Sequence, residues 1–145
     1  MDQHVTGVIR SCSYHIRALW HIRPCLTMDA AKLIAQGQGL VTTRLDYGNG
    51  LLLGTTARNL GRLQVAQNAL TRAVCQAPRF FSATDLRCSL HWLLIRQRID
   101  YKIATITYKV RQTYTPVYMA SLINDYITSR TLPSSDNCCL DLPLL

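Results

Sequence analysis

Two pairs of potential zinc ligands lie near the N-terminus: Cys12-x-x-His15 and His21-x-x-x-Cys25. Thiolate and imidazole groups bind Zn²⁺ at about 2.0–2.3 Å, so the ligands of one ion must converge on a single point. Apolar periodicity places both pairs on one helix, which separates their midpoints by ~9–10 residues, or ~14 Å at 1.5 Å per residue. One ion cannot reach both pairs, and we therefore expect no metal site.

The acidic residues are dispersed along the chain. Nucleotide polymerases use clustered carboxylates to hold two divalent ions about 3.5–4 Å apart. All 8 acidic residues are aspartates, and no two of them are adjacent or separated by one residue. We expect Asp46 to cap a helix or to pair with a neighbouring arginine such as Arg44, and His91 to be structural. Phosphate-binding and dinucleotide-binding glycine motifs are absent from the sequence. We therefore expect no enzymatic activity, no cofactor and no small-molecule substrate.

Arginine dominates the charge of the chain. The formal net charge is +8 at pH 7, and most of the 16 basic residues are arginine. The planar guanidinium matches phosphate oxygens, and a positive excess favours a polyanion through counterion release. Arg10, Arg17 and His21 follow i, i+7, i+11 spacing, which places them on the helix face opposite the apolar stripe. The sequence predicts a nucleic acid partner, with a merely solvated basic face as the alternative.

Helical spacing of apolar residues recurs along the chain and predicts an all-α protein. A helical bundle of about four longer helices should form one domain over residues 1–125, followed by coil over 126–145. Trp20 is expected on the core side of the first helix, and residues 51–53 in a largely buried turn. Gly37 and Gly39 interrupt the second helix, which either continues through them or is split there, and the sequence does not decide. The predicted helices span residues 4–23, 27–45, 57–76, 82–90, 95–112 and 116–124.

Cysteines, apolar runs and tyrosines bear on the environment of the chain. The 6 cysteines come without a secretory signal, so we expect reduced thiols, mostly buried, in a nuclear or cytoplasmic protein. No apolar run approaches the ~18 residues needed to span a bilayer, so we expect no membrane partner.

The following tyrosines are expected to pack between helices, with base stacking as the alternative: Tyr101, Tyr108, Tyr114, Tyr118 and Tyr126.

Three ordered blocks carry a resemblance to a known family. They are residues 45–54 (LDYGNGLLLG), 63–69 (LQVAQNA) and 90–103 (LHWLLIRQRIDYKI), in which an apolar block runs into an arginine-rich helix. A weaker fourth block combines Pro116-Val117-Tyr118 with Ser129-Arg130. Their order and rough spacing resemble the C-terminal region of LINE-type (non-LTR) retrotransposon reverse transcriptases, downstream of the polymerase active site. The resemblance extends over nearly the whole chain.

The resemblance implies a helical thumb and connector region, which grips a primer–template duplex while the metal-binding aspartates lie upstream of it. Carried over by matched blocks, it implies that Arg62, Arg96, Arg98 and Lys102 contact the nucleic acid backbone or form structural ion pairs. Together with Arg10 and Arg17 from the helical spacing, these residues are the candidate nucleic-acid-binding set. The expected partner is an RNA–DNA duplex bound with low specificity.

Departures from the family pattern suggest a decayed or truncated copy. Gly48 stands where the family usually has cysteine, and Leu94 and Pro133 stand where proline and arginine are expected. An insertion relative to the family, within residues Ala35 to Gly39, adds to these differences. We therefore expect a non-catalytic fragment of an RNA-directed DNA polymerase that retains nucleic acid binding. A helical protein–protein interaction module and a relic without a selected role are the alternatives.

Overall fold

The structure, a computed structural model, describes residues 2–37, 41–46 and 48–124. These residues form seven α-helices and two short 3-10 helices, and the described part of the chain contains no β-strand. The all-α prediction is therefore confirmed. The 3-10 helices are Arg23–Cys25 and Asn49–Leu52. The α-helices are α1 (Asp2–Ile22), α2 (Met28–Gly37), α3 (Thr42–Asp46), α4 (Ala57–Cys75), α5 (Ala83–Ser89), α6 (Ile95–Thr113) and α7 (Val117–Ala120).

Helix α1 forms where a helix was predicted, within two residues at either end. Its buried residues, Val5, Cys12, Ile16 and Leu19, recur at three- to seven-residue intervals and make a single apolar stripe. Pro24 lies in the 3-10 turn that follows the helix, where the missing N–H and fixed φ of proline disfavour a continued α-helix. One face of α1 is thereby turned to the core and the opposite face to solvent.

The second predicted helix is split into α2 and α3. The Thr27 hydroxyl accepts a hydrogen bond from the Ala30 N–H at 3.3 Å and caps the start of α2. Helix α2 ends at Gly37 and α3 begins at Thr42, while residues 38–40 lie outside the described ranges. Glycine costs about 1 kcal/mol relative to alanine inside a helix, which favours an end at this position.

A glycine-flanked turn connects α3 to α4. Gly48 and Gly54 have φ values of 64° and 77°, in the left-handed region that favours glycine. Leu52 is buried, whereas Leu51 and Leu53 are exposed. The prediction of a largely buried triplet is therefore wrong for two of its three leucines. A 3-10 turn has three residues per turn, so neighbouring side chains point in different directions and only one reaches the core.

Helix α4 is the centre of the core and packs against α1, α2 and α5. Leu63, Gln67, Leu70 and Val74 are all buried, and their three- to four-residue spacing makes one stripe along the helix. The polar member of the stripe is satisfied, because Gln67 Nε2 donates a hydrogen bond to the Leu93 carbonyl oxygen at 2.7 Å. The core is therefore apolar along α4, with one buried amide that ties it to the link before α6.

The link between α5 and α6 is only partly buried. The Ser82 hydroxyl accepts a hydrogen bond from the Asp85 N–H at 3.5 Å and caps the start of α5. Trp92 is buried, whereas His91 and Leu93 on either side of it are exposed. Ile95 is buried at the start of α6, and its backbone N–H donates to Gln64 Oε1 at 3.1 Å.

The chain divides into two compact units, Met1–Tyr101 and Lys102–Leu145. The single domain over residues 1–125 stays a prediction. The boundary falls within the long helix α6. In the second unit the described residues form the rest of α6 and the short helix α7. The predicted coil over 126–145 lies outside the described residues.

The described cysteines are free, but they differ in burial. Cys12 is buried, and burial raises the pKa of its thiol to about 11 against the opposing charge of Arg44. Burial also raises the pKa of Cys75. Cys25 and Cys88 are exposed, so the prediction of mostly buried cysteines is wrong for these two. Cys138 and Cys139 lie outside the described residues.

Replacing Leu70 by alanine tests the placement of the core. Leu70 is fully buried on α4, so we expect Leu70→Ala to lower the free energy of unfolding by about 2–5 kcal/mol. Leu33→Ala on α2 is the control, because Leu33 is exposed and its loss should change stability by less than about 0.5 kcal/mol. Urea denaturation followed by circular dichroism measures both variants. Equal losses would contradict the placement of α4 at the centre of the core.

Alkylation rates test the burial of the thiols. In the folded protein at mildly alkaline pH, iodoacetamide should modify Cys25 and Cys88 readily, because both side chains are exposed. Cys12 should react only after denaturation, because it is buried and its raised pKa leaves little thiolate. Mass spectrometry of peptides assigns each site. Modification of native Cys12 as fast as Cys25 would show that α1 is not packed as described.

Candidate nucleic-acid interface

The outer face of α1 carries exposed basic side chains. Arg10, Arg17 and His21 are all exposed, on the side of the helix away from buried Cys12 and Ile16. Seven residues correspond to about 10.5 Å along a helix, so the two guanidinium groups leave α1 in nearly the same direction, two turns apart. The structure thus places Arg10 and Arg17 as the helical spacing predicts.

Arg62 joins this face from the neighbouring helix. Its Nη2 donates a hydrogen bond to the Thr6 hydroxyl at 3.0 Å, which links α4 to α1. Thr6 precedes Arg10 by one helical turn on the same face. The guanidinium of Arg62 therefore lies at the N-terminal end of the row formed by Arg10 and Arg17. We call Arg10, Arg17, His21 and Arg62 the α1 basic face.

A hydrogen bond and nearby positive charges lower the pKa of Asp2 in the first turn of α1. Asn59 Nδ2 donates to Asp2 Oδ1 at 2.6 Å, and this hydrogen bond is the main cause that lowers the pKa of Asp2. The charges of Arg62 and Arg58 lower the same pKa further. Arg58 and Arg62 of α4 therefore add positive charge beside the first turn of α1.

A shallow groove borders the N-terminal half of α1. It has a volume of about 410 Å³ and lies between α1 and α3, with Gly7 and Ser11 on one side and Thr43 and Arg44 on the other. Gly7 leaves its floor open, because a β-carbon built there meets nothing within 4 Å. Exposed Arg44 extends the positive surface from α1 onto α3.

Arg98 occupies a structural ion pair. Its Nε donates to Asp46 Oδ1 at 2.9 Å, and its Nη2 contacts Asp46 Oδ2, so the guanidinium binds the carboxylate with two groups. Asp46 also accepts from Asn49 Nδ2 at 3.4 Å. The pair joins the end of α3 to α6 across 52 residues of sequence. The local sequence predicts Arg44 as a partner for Asp46. It does not predict Arg98, because only the folded chain brings Arg98 next to Asp46.

Two further arginines are buried and have structural contacts. Arg23 Nε donates to the Val74 carbonyl oxygen at 2.6 Å, and its Nη1 donates to the Leu26 carbonyl oxygen at 2.7 Å. A cation next to the last carbonyls of α4 is favourable, because the C-terminal end of a helix is negative. Arg87 donates to Asn68 Oδ1 at 3.2 Å. The surface charge is therefore lower than the arginine count implies.

The remaining predicted residues lie on α6. Arg96 is exposed in the first turn of that helix. Lys102 is also exposed and belongs to the second unit, where it has interactions of its own. Within the first unit, the structure thus groups Arg10, Arg17 and Arg62 and assigns Arg98 to an ion pair.

Two aromatic residues on α1 were not predicted as site residues. Tyr14 is 72% exposed and lies four residues after Arg10 and three before Arg17. Trp20 is 42% exposed, so its predicted core position is wrong. The buried stripe ends at Leu19, and the next residue already lies about 100° around the helix. The i, i+4, i+7 spacing of Arg10, Tyr14 and Arg17 is visible in the sequence and was the available signal.

The tyrosines of the C-terminal half are also exposed. Tyr101, Tyr108, Tyr114 and Tyr118 each leave most of their surface in solvent. The prediction that they pack between helices is therefore wrong for these four, and Tyr126 lies outside the described residues. Tyr101 and Tyr108 lie on α6, Tyr114 follows the end of that helix, and Tyr118 lies on α7.

Metal sites, membrane-spanning helices and related proteins are the remaining features that bear on function. Within residues 2–37, 41–46 and 48–124, no three His, Cys or Asp side chains are grouped so that they could hold a metal ion. None of the helices in this described part has both the length and the apolar character needed to cross a bilayer. No protein-family model, curated protein or solved structure matches the chain. The resemblance to LINE-type reverse transcriptases therefore stays a prediction from the sequence blocks.

A pair of arginine variants on α6 tests the structural role of Arg98. We expect Arg98→Ala to lower the free energy of unfolding by about 1 kcal/mol, the upper end for a partly exposed ion pair. Arg96→Ala is the matched control, because the same substitution on an exposed side chain two residues earlier should cost less than about 0.5 kcal/mol. Chemical denaturation measures both. A larger loss for Arg96→Ala would contradict the ion pair.

Proposed function

We propose that this protein is a non-catalytic helical module that binds nucleic acid through the α1 basic face. The observation that carries the proposal is the grouping of exposed Arg10 and Arg17 with Arg62, which reaches α1 from a different helix. The three blocks that resemble LINE-type reverse transcriptases support the same partner. In that family the corresponding region grips the primer–template duplex and leaves nucleotide addition to residues upstream.

The spacing of the arginines suits a phosphate backbone. About 10.5 Å separates Arg10 from Arg17 along the helix axis, and successive phosphates of one strand advance by about 3.4 Å. The two guanidinium groups would therefore contact phosphates about three nucleotides apart. Arg62 uses one N–H on Thr6, and a guanidinium has five N–H donors, so the others are available to a third phosphate.

The dispersion of the carboxylates supports binding without chemistry. The described aspartates, Asp2, Asp29, Asp46, Asp85 and Asp100, each lie on a different helix. Two-metal nucleotidyl transfer needs acidic side chains close enough to hold ions about 3.5–4 Å apart. The carboxylate of Asp46 is already engaged by Arg98. A role in holding a polynucleotide fits these residues better than a role in extending it.

A second candidate function, a protein–protein interaction module, is favoured by one exposed aromatic pair. Phe80 and Phe81 lie in the loop between α4 and α5 with ring centroids 5.1 Å apart, and Phe80 is 84% exposed. Exposed apolar clusters on soluble domains often mark partner surfaces. Size-exclusion chromatography with light scattering distinguishes this function, since self-association that is lost in Phe80→Ser would support it.

Salt-dependent affinity tests the proposed function. The double variant Arg10→Gln/Arg17→Gln should bind an RNA–DNA hybrid more weakly and should reduce the log–log salt slope by about 1.8, at about 0.9 per lost phosphate contact on B-DNA. Fluorescence anisotropy from about 50 to about 200 mM salt measures the slope. Arg79→Gln is the control, because Arg79 is an exposed arginine of the α4–α5 loop, outside the α1 basic face.

Two results would contradict this proposal. One is wild-type protein that shows no salt-dependent binding to the hybrid at low ionic strength. The other is an equal loss of slope in Arg79→Gln and in the double variant per arginine removed, since that would indicate a diffuse charge effect without a defined face.

A further inference from the structure

We infer that the outer face of α1 is a binding site for unpaired nucleobases, with Tyr14 and Trp20 as stacking platforms beside the arginines. The inference rests on the proposed function for the class of partner. It adds a specific ligand, a single-stranded segment of polynucleotide that lies along α1.

The face alternates cations and rings at helical spacing. Arg10, Tyr14, Arg17 and Trp20 follow one another at intervals of four, three and three residues, so neighbouring side chains lie about one turn apart. All four side chains are exposed. Proteins that bind single strands combine positive charge along the backbone with aromatic rings on which bases stack. Both components are present here on one rigid element.

The ring of Tyr14 contacts one neighbouring ring and is otherwise largely exposed to solvent. Its ring meets the His15 ring edge to face, with centroids 5.3 Å apart and an angle of 80° between the planes. This contact restricts the rotamers of Tyr14, while 72% of the side chain stays accessible. A ring that is already restricted loses less conformational entropy when a ligand stacks on it.

A base-paired duplex does not satisfy these rings. Inside a duplex the faces of the bases are stacked on one another, so an aromatic side chain gains a partner only at an end or at an unpaired nucleotide. Tyr14 and Trp20 are six residues apart, about 9 Å along the helix axis and about 120° around it, so they lie on opposite sides of the line from Arg10 to Arg17. Each ring would therefore hold its own base, with the strand extended between the two and its phosphates beside Arg10 and Arg17.

Charge complementarity selects a polynucleotide over a protein partner. An aromatic face on a helix can also bind an apolar peptide, but such partners are not drawn to alternating guanidinium groups. The net charge of +8 and the nearby Arg62 favour a polyanion. Among polyanions, only those with planar bases use the rings, and this difference provides the test.

The experiment compares three probes by fluorescence anisotropy: a blunt hybrid duplex, the same duplex with an oligothymidine overhang, and base-free heparin by competition. Wild-type protein should bind the overhang duplex about tenfold more tightly than the blunt one. Tyr14→Ala should reduce this difference, and Tyr14→Ala/Trp20→Ala should remove it, whereas affinities for blunt duplex and heparin should stay unchanged in both variants. Tyr14→Phe should retain the difference, since phenylalanine keeps the ring.

Tyr108→Ala is the matched control, because it removes an exposed tyrosine that lies on a different helix. Circular dichroism of each variant verifies folding. Tryptophan fluorescence gives a second readout: oligothymidine should quench the wild-type protein, and Trp20→Phe should lose the quenching because Trp92 is buried.

The possible failures are distinguishable. Equal wild-type affinity for blunt and overhang duplexes, or equal losses for overhang duplex and heparin in Tyr14→Ala, would overturn the stacking site. The proposed function would survive that result if the Arg10→Gln/Arg17→Gln variant still lost affinity for the hybrid. Absence of binding to all three probes would overturn both.

Discussion

Helix α4 buries Leu63, Leu70 and Val74 against its neighbours, and its largest contact is with α1. Each fully buried side chain of this size contributes about 1.5–3 kcal/mol relative to an exposed one, so this seam is the main apolar contribution to the first unit. The seam also fixes the rotation of α1. Because Cys12 and Ile16 are turned inward, the opposite side of the helix faces solvent, and that side carries Arg10 and Arg17.

The arginines then divide into two groups with different physical roles. Arg23, Arg87 and Arg98 are buried or paired, and each ties together segments distant in sequence. Buried cations are tolerated only where partners compensate for lost hydration, and carbonyl, amide and carboxylate oxygens do so here. Arg10 and Arg17 remain exposed on α1. Net charge alone thus overstates the charge available to a partner, while burial identifies which residues can serve one.

The helices were predictable because apolar periodicity reports directly on which face is buried, and α1, α4 and α6 lie within a few residues of their predicted bounds. Side-chain environments at the ends of stripes were less predictable, as Trp20 shows, since one residue turns the side chain by about 100°. The Arg98–Asp46 pair spans 52 residues, and no local pattern specifies it. The split between α2 and α3 depends on a balance of about 1 kcal/mol per glycine, which sequence reasoning could not resolve.

The central claim is that the side of α1 opposite the core is the surface that binds nucleic acid. Amide chemical-shift mapping of the protein titrated with a short oligonucleotide at low salt tests it most directly. We predict that the perturbed amides cluster around Arg10, Tyr14, Arg17 and Arg62. A cluster centred instead on the Phe80 loop, or shifts spread evenly over the exposed arginines, would contradict the claim.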